Sequence, residues 1–121
     1  MLALPGVPLA RTRAEVFDDL ILDAVEDLET RYGADLGALE FAVEQVPPRD
    51  ADLEFDPEVV MDRGVPLGRL FREGTPGSPE PLIVLYRRPV EARARDHLDR
   101  GEVVFAVVAE LAAEYLGRDL D

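Results

Sequence analysis

The 121-residue chain carries 13 basic and 26 acidic side chains, for a formal charge of −13, and has no cysteine. A surface that negative repels phosphate backbones and anionic lipid headgroups, which argues against nucleic-acid and membrane partners. The missing cysteines exclude disulfides, thiolate metal sites and a thiol nucleophile, while 47% hydrophobic residues are enough for a folded core.

The length suits one domain covering residues 1–121, with 1–11 an extended or flexible N-terminal segment. Met1 to Ala10 is apolar, is broken by Pro5 and Pro8, and has no basic residue ahead of its apolar stretch. It does not read as a signal peptide. No run reaches the ~18 apolar residues of a membrane span, so the expected compartment is the cytoplasm.

Thr12-Arg13-Ala14-Glu15 has the spacing of a capping box, in which Thr12 and Glu15 satisfy each other's backbone N–H groups. Behind it, Phe17, Leu20, Ile21, Ala24 and Leu28 recur at helical spacing, and Asp18, Asp19, Asp23, Glu26 and Asp27 mostly fill the other face. Gly33 is a natural stop. The pattern predicts an amphipathic helix.

Ala38 to Val46 alternates, with Leu39, Phe41 and Val43 on one side and Glu40 and Glu44 on the other. That predicts a half-buried strand, ended by Pro47 and Pro48. Residues 49–64 are acidic, contain Pro57 and Gly64, and read as a long surface connection. Leu67 to Phe71 suits a short strand, and Gly74 to Pro81 is rich enough in Gly and Pro to be loop. Leu82-Ile83-Val84-Leu85-Tyr86 is a continuous apolar run, as expected of a central strand covered on both faces. Pro89 fits the first turn of a helix beginning near Val90. Glu102 to Leu116 reads as a helix apolar almost all round and therefore buried. The expected fold class is α+β, with a small sheet packed by an N-terminal and a C-terminal helix.

Between residues 103 and 116 only Glu110 and Glu114 are charged, and their i, i+4 spacing puts both on one face. This stripe is either the solvent edge of the helix, which burial favours, or the lining of a cleft. His97 is the only histidine and Ser78 the only serine, so no Ser-His-acid triad can be assembled around a second His. His97 lies in the polar run Arg95 to Asp99 and reads as a solvated side chain. The Gly64–Gly68 and Gly74–Gly77 stretches lack the Lys and the helix start of a phosphate-binding loop.

Several segments together resemble a known family. They are Val65-Pro66-Leu67-Gly68-Arg69-Leu70-Phe71, then Ile83-Val84-Leu85-Tyr86-Arg87-Arg88-Pro89-Val90-Glu91, then an apolar helix ending at Gly117. Phe17-Asp18-Asp19-Leu20 and Phe41-Ala42-Val43-Glu44 extend the likeness back to about Ala14. The whole resembles the small bacterial zincin-like "possible metallopeptidase" family, a minimal zincin. That resemblance implies His-Glu-x-x-His-x-x-Gly-x-x-Asp on the last helix, where two His and the acid hold zinc and the Glu activates the zinc-bound water.

This chain departs from the pattern. Aligned on Glu110, the motif reads Ala109-Glu110-Leu111-Ala112-Ala113, with Asp119 at the third-ligand spacing. Aligned on Gly117, Glu110 and Glu114 fall at the His positions and Leu111 at the Glu. Neither register holds a His. Alanine has no lone pair, and catalytic zinc takes about three protein ligands, so the family's zinc is expected to be lost and no cofactor is expected. The expected function is then an inactive zincin-like domain that binds an unknown protein or peptide or plays a structural part, with Glu110 a vestigial base. The alternative is a metal-dependent hydrolase with a non-standard carboxylate site of Glu110, Glu114 and Asp119, or with His97 relocated as a ligand.

Overall fold

The structure, a computed structural model, describes residues 11–48 and 56–118. Its elements are α1 (Arg13–Tyr32), β1 (Glu40–Glu44), β2 (Val59–Asp62), β3 (Val65–Phe71), β4 (Leu82–Tyr86), α2 (Arg87–Arg93) and α3 (His97–Leu116). The expected N-terminal segment lies, apart from Arg11, outside the described residues.

The capping box forms as its spacing predicts. Thr12 Oγ1 accepts from Glu15 N at 3.1 Å, and Glu15 Oε1 accepts from Thr12 N at 3.0 Å. Gly33 ends α1 in the left-handed region with φ 60, where a side chain would be strained. The Thr12 backbone N–H, and then its hydroxyl, hold the Glu15 carboxyl below its ordinary pKa. A depressed folded-state pKa gives stability that is complete above the unfolded-state value and lost as pH falls through the folded one. Glu15→Gln is therefore expected to be less stable than the parent at pH 7, and the gap to narrow as pH falls below the ordinary carboxylate range. Urea unfolding at pH 7 and below that range measures it.

The four strands form one mixed sheet in the order β1-β4-β3-β2. β1 runs parallel to β4, and β3 is antiparallel to both β4 and β2. β4 is thus an inner strand, as its unbroken apolar run predicts. Its side chains divide between two faces. Ile83 and Leu85 join the main core with Phe17, Leu28, Leu70, Val90, Val104, Val108 and Leu111, whereas Val84 and Tyr86 are buried apart from that cluster. Burial raises the Tyr86 phenol above its ordinary pKa, and the nearby Glu44 carboxylate adds to this.

α3 lies on the core face of the sheet, and α1 packs chiefly against α3. The close approach of α3 depends on Gly68. A Cβ there would sit 2.8 Å from Val107 Cγ1, 3.1 Å from Leu111 Cδ1 and 3.1 Å from the Val84 carbonyl oxygen. No larger residue fits without moving the helix or the strand.

Three expectations need correction. The stretch 49–64 is not all connection, because Val59–Asp62 forms β2 and turns tightly into β3; residues 49–55 lie outside the described residues. The turn residues Arg63 and Gly64 have φ 52 and 78, the positive pair of a type I′ hairpin. Arg is a poor residue for that turn, which hid the hairpin. The last helix starts at His97, not Glu102, because Asp96 caps it by accepting from Asp99 N at 2.8 Å. Nor is it buried all round: Glu102, Ala106 and Glu110 are exposed, while Val104, Val107, Val108, Leu111 and Ala112 are buried. Exposed Ala106 and half-buried Ala109 and Ala113 made a one-sided helix read as a fully apolar one.

Candidate functional site on the last helix

Glu110 and Glu114 stand one turn apart near the end of α3. With Ala113, Gly117 and Arg118 they line an open depression of about 500 Å³. The helix ends because Gly117 takes φ 69 and ψ 29, and its N–H donates to the Ala113 carbonyl. Only a residue free of Cβ strain turns the chain back there cheaply. Arg118 follows, and its Nη2 donates to the Tyr32 carbonyl at 3.0 Å, tying this turn to the end of α1.

The two carboxylates differ in their surroundings. Glu110 is exposed, whereas Glu114 is half-buried and lies toward the C-terminal end of β3. There Arg72, the first residue after β3, reaches across. Its Nη2 lies 3.6 Å from Glu114 Oε1 and donates to the Glu114 carbonyl at 3.3 Å. Its Nε lies 2.8 Å from Glu58 Oε2. One guanidinium therefore joins a carboxylate before β2, a carboxylate on α3, and the negative carbonyl end of that helix. All of these groups are partly solvated, so each pair contributes at most about 1 kcal/mol. The effect on charge is larger than the effect on stability, because Glu114 already has a cation.

Other sequence candidates do not join this cluster. His97 is exposed in the first turn of α3, thirteen residues before Glu110, or roughly 20 Å along the axis at 1.5 Å per residue. Ser78 is buried, and its Oγ donates to the Glu80 carbonyl at 2.8 Å, which fixes a loop. Asp119 lies outside the described residues. Among the described residues, no three His, Cys, Asp or Glu side chains converge as a metal site would require.

Residues 36–121 match the family described as zincin-like metallopeptidase. The chain belongs to the zincin-like metallopeptidase family. The match begins at Leu36, so β1 through α3 fall inside it and α1 lies outside, although the resemblance seen in the sequence reached back to Ala14. No curated protein matches the chain.

Membership implies zinc on α3, and the side chains there do not fit it. Ala109 and Ala113 offer no donor atom. Leu111 is fully buried. Glu114 is engaged by Arg72, whose charge opposes a second cation at the same place.

Sequence reasoning missed both Glu58 and Arg72, and Arg72 is the member that joins the cluster. It lies in an Arg-Glu-Gly turn, 42 residues before Glu114, the helix residue that it contacts. Nothing local marks such a partnership. Only the pairing of β3 with β4, and the packing of α3 across them, bring the two together.

No helix among the described residues is long and apolar enough to cross a membrane.

Proposed function

We propose that this chain is a catalytically inactive zincin-like domain that binds a protein or peptide in the cytoplasm. The observation that carries this reading is the Glu58–Arg72–Glu114 bridge. With the motif aligned on Gly117, the Arg72 guanidinium stands at the α3 face where the family would place its metal.

The helix geometry also supports aligning the family motif on Gly117. A Gly three residues after the second ligand lets the chain turn back toward the metal, and Gly117 has the left-handed φ of 69 such a turn needs. Leu116 at that place would be helical. Aligned so, Glu110 and Glu114 occupy the ligand positions, with Glu114 toward the C-terminal end of β3. Leu111, fully buried, occupies the position of the general base. A buried leucine can neither activate water nor hold a proton.

The test is metal content and activity together. Protein purified without a His tag is expected to carry less than about 0.1 equivalent of zinc after dialysis, because too few donors converge to hold it. No chelator-sensitive peptidase activity is expected. Glu110→Gln is expected to fold as the parent does and to alter no hydrolysis. Near-unit zinc surviving dialysis, or Glu110-dependent peptide hydrolysis, would overturn this reading in favour of a carboxylate metal site.

A further inference from the structure

We propose that the groove between α1 and α3 is a docking site for a basic amphipathic helix of a partner protein. The inference goes beyond the former zinc face. The groove uses the first half of α3, and its nearest lining residue, Phe105, stands five residues before Glu110, roughly 7.5 Å along the helix at 1.5 Å each. It also uses α1, which lies outside the residues matched to the family.

The groove has a volume of about 430 Å³. Leu20, Leu98 and Phe105 supply its apolar surface, and Asp23, Asp27 and Glu102 its acidic rim. Leu98 is 79% exposed and carries the apolar surface of the groove out to solvent. The lining positions are 20, 23, 24 and 27 on α1 and 98, 101, 102 and 105 on α3. Each set follows i, i+3, i+4, i+7, the stripe a helix presents to a neighbouring helix. Two such stripes side by side form the seat of a third helix.

Gly101 gives the groove its depth. Glycine disfavours a helix interior relative to alanine, and no steric demand requires it here. A Cβ at 101 would meet Leu20 Cδ2 at 3.6 Å, an ordinary contact. Anything larger would stand in the groove.

Charge selects the occupant. α1 carries Glu15, Asp18, Asp19, Asp23, Glu26, Asp27 and Glu29 against Arg13 and Arg31. Among the described residues, Asp19 pairs with Arg11 and Asp27 with Arg31, while Asp23 and Glu102 have no ion pair. No Arg lines the groove. A second copy of a chain with charge −13 would be repelled. Residues 1–10 have no basic side chain with which to answer the rim. A helix with an apolar stripe flanked by Lys or Arg answers both the floor and the rim.

The probe is a synthetic peptide of about 18 residues, long enough to be helical, with Leu at i, i+3, i+4 and i+7 and Lys flanking. A scrambled peptide of the same composition lacks the stripe. Titration calorimetry at about 150 mM salt, where long-range attraction is screened, is expected to show micromolar binding of the amphipathic peptide. The scrambled peptide should bind at least roughly tenfold more weakly. Gly101→Leu, which fills the groove, and Asp23→Asn with Glu102→Gln, which neutralises its rim, should each weaken binding by roughly tenfold or more. Glu73→Gln, on a distant loop, should not. Amide shift changes in the parent should cluster at residues 20–27 and 98–105. The rim variant alters exposed side chains only, so it keeps the test valid should Gly101→Leu unfold. Equal binding of the scrambled peptide, binding unaffected by the rim variant, or shifts centred on Glu110 and Glu114 would each overturn the proposal. So would self-association that Gly101→Leu abolishes, which would make the occupant a second copy, or contacts from residues 1–10 to Leu20 and Phe105.

Discussion

Leu111→Asp is expected to leave the chain unfolded at 25 °C. Leu111 is fully buried, and its Cδ1 lies 3.1 Å from where a Gly68 Cβ would project, so helix and sheet meet at this side chain. Truncating a buried leucine costs about 2–5 kcal/mol in lost transfer energy and cavity formation. A buried carboxylate with no partner adds several kcal/mol, or takes up a proton at a related cost. The sum is of the same order as the roughly 5–15 kcal/mol by which a domain of this size is stable. Circular dichroism should show lost helix signal and no cooperative melt. The control is the adjacent residue. Glu110→Asp, on the exposed side of the same turn, should shift stability by no more than about 0.5 kcal/mol. If Leu111→Asp melts within a few degrees of the parent, the packing of α3 on β3 is wrong.

What the sequence disclosed follows from how local each signal is. α1 was legible from end to end because its cap, its apolar stripe and its terminal glycine all lie within one continuous segment. β4 was legible because an apolar run of five residues has few other uses. β1 was legible as a half-buried strand but read too long, since only Glu40–Glu44 pair with β4. β2 was hidden by Asp56, Pro57 and Glu58 before it and by an Arg-Gly turn after it. The first turn and a half of α3 was hidden by Gly101 and by charges that serve as its cap.

The candidate site divides in the same way. The i, i+4 spacing of Glu110 and Glu114 is a property of one helix and could be read directly. Whether they met solvent or sheet could not, because that depends on elements distant in sequence. The answer is mixed: Glu110 faces solvent, while Glu114 meets Arg72 and, through it, Glu58. The fold and the family's chemistry make separate demands on α3. The buried face, from Val104 through Ala112, keeps the domain together. Glu110 and Glu114 lie off that buried face, so substitutions there are expected to cost little stability.

Rebuilding the zinc site is expected to depend on Arg72, and this separates the two motif registers. Glu110→His with Glu114→His installs a His pair one turn apart at the positions indicated by Gly117. Ala109→His with Ala113→His installs the pair indicated by Glu110. Two histidines at i, i+4 on a helix face chelate zinc in either case, at distances of about 2.0–2.1 Å. The neighbourhood of Arg72 distinguishes them. In the first variant the metal lies beside a guanidinium that now contacts the Glu114 side chain. A double and a single positive charge about 5 Å apart repel by about 1.7 kcal/mol even at the dielectric constant of water, more than tenfold in affinity. Adding Arg72→Ala removes that repulsion and frees Glu58, whose carboxylate Arg72 holds at 2.8 Å, to serve as a further oxygen ligand. Zinc affinity, measured by competition with a chromophoric chelator, should therefore rise at least tenfold when Arg72→Ala is added to the first variant. The second variant puts its pair at half-buried positions packed against the core, where Arg72 contacts neither side chain, and should gain much less from the same change. An equal gain in both, or none in the first, would show that the family's metal face is not the one turned toward Arg72. The register anchored on Gly117 would then have to be abandoned.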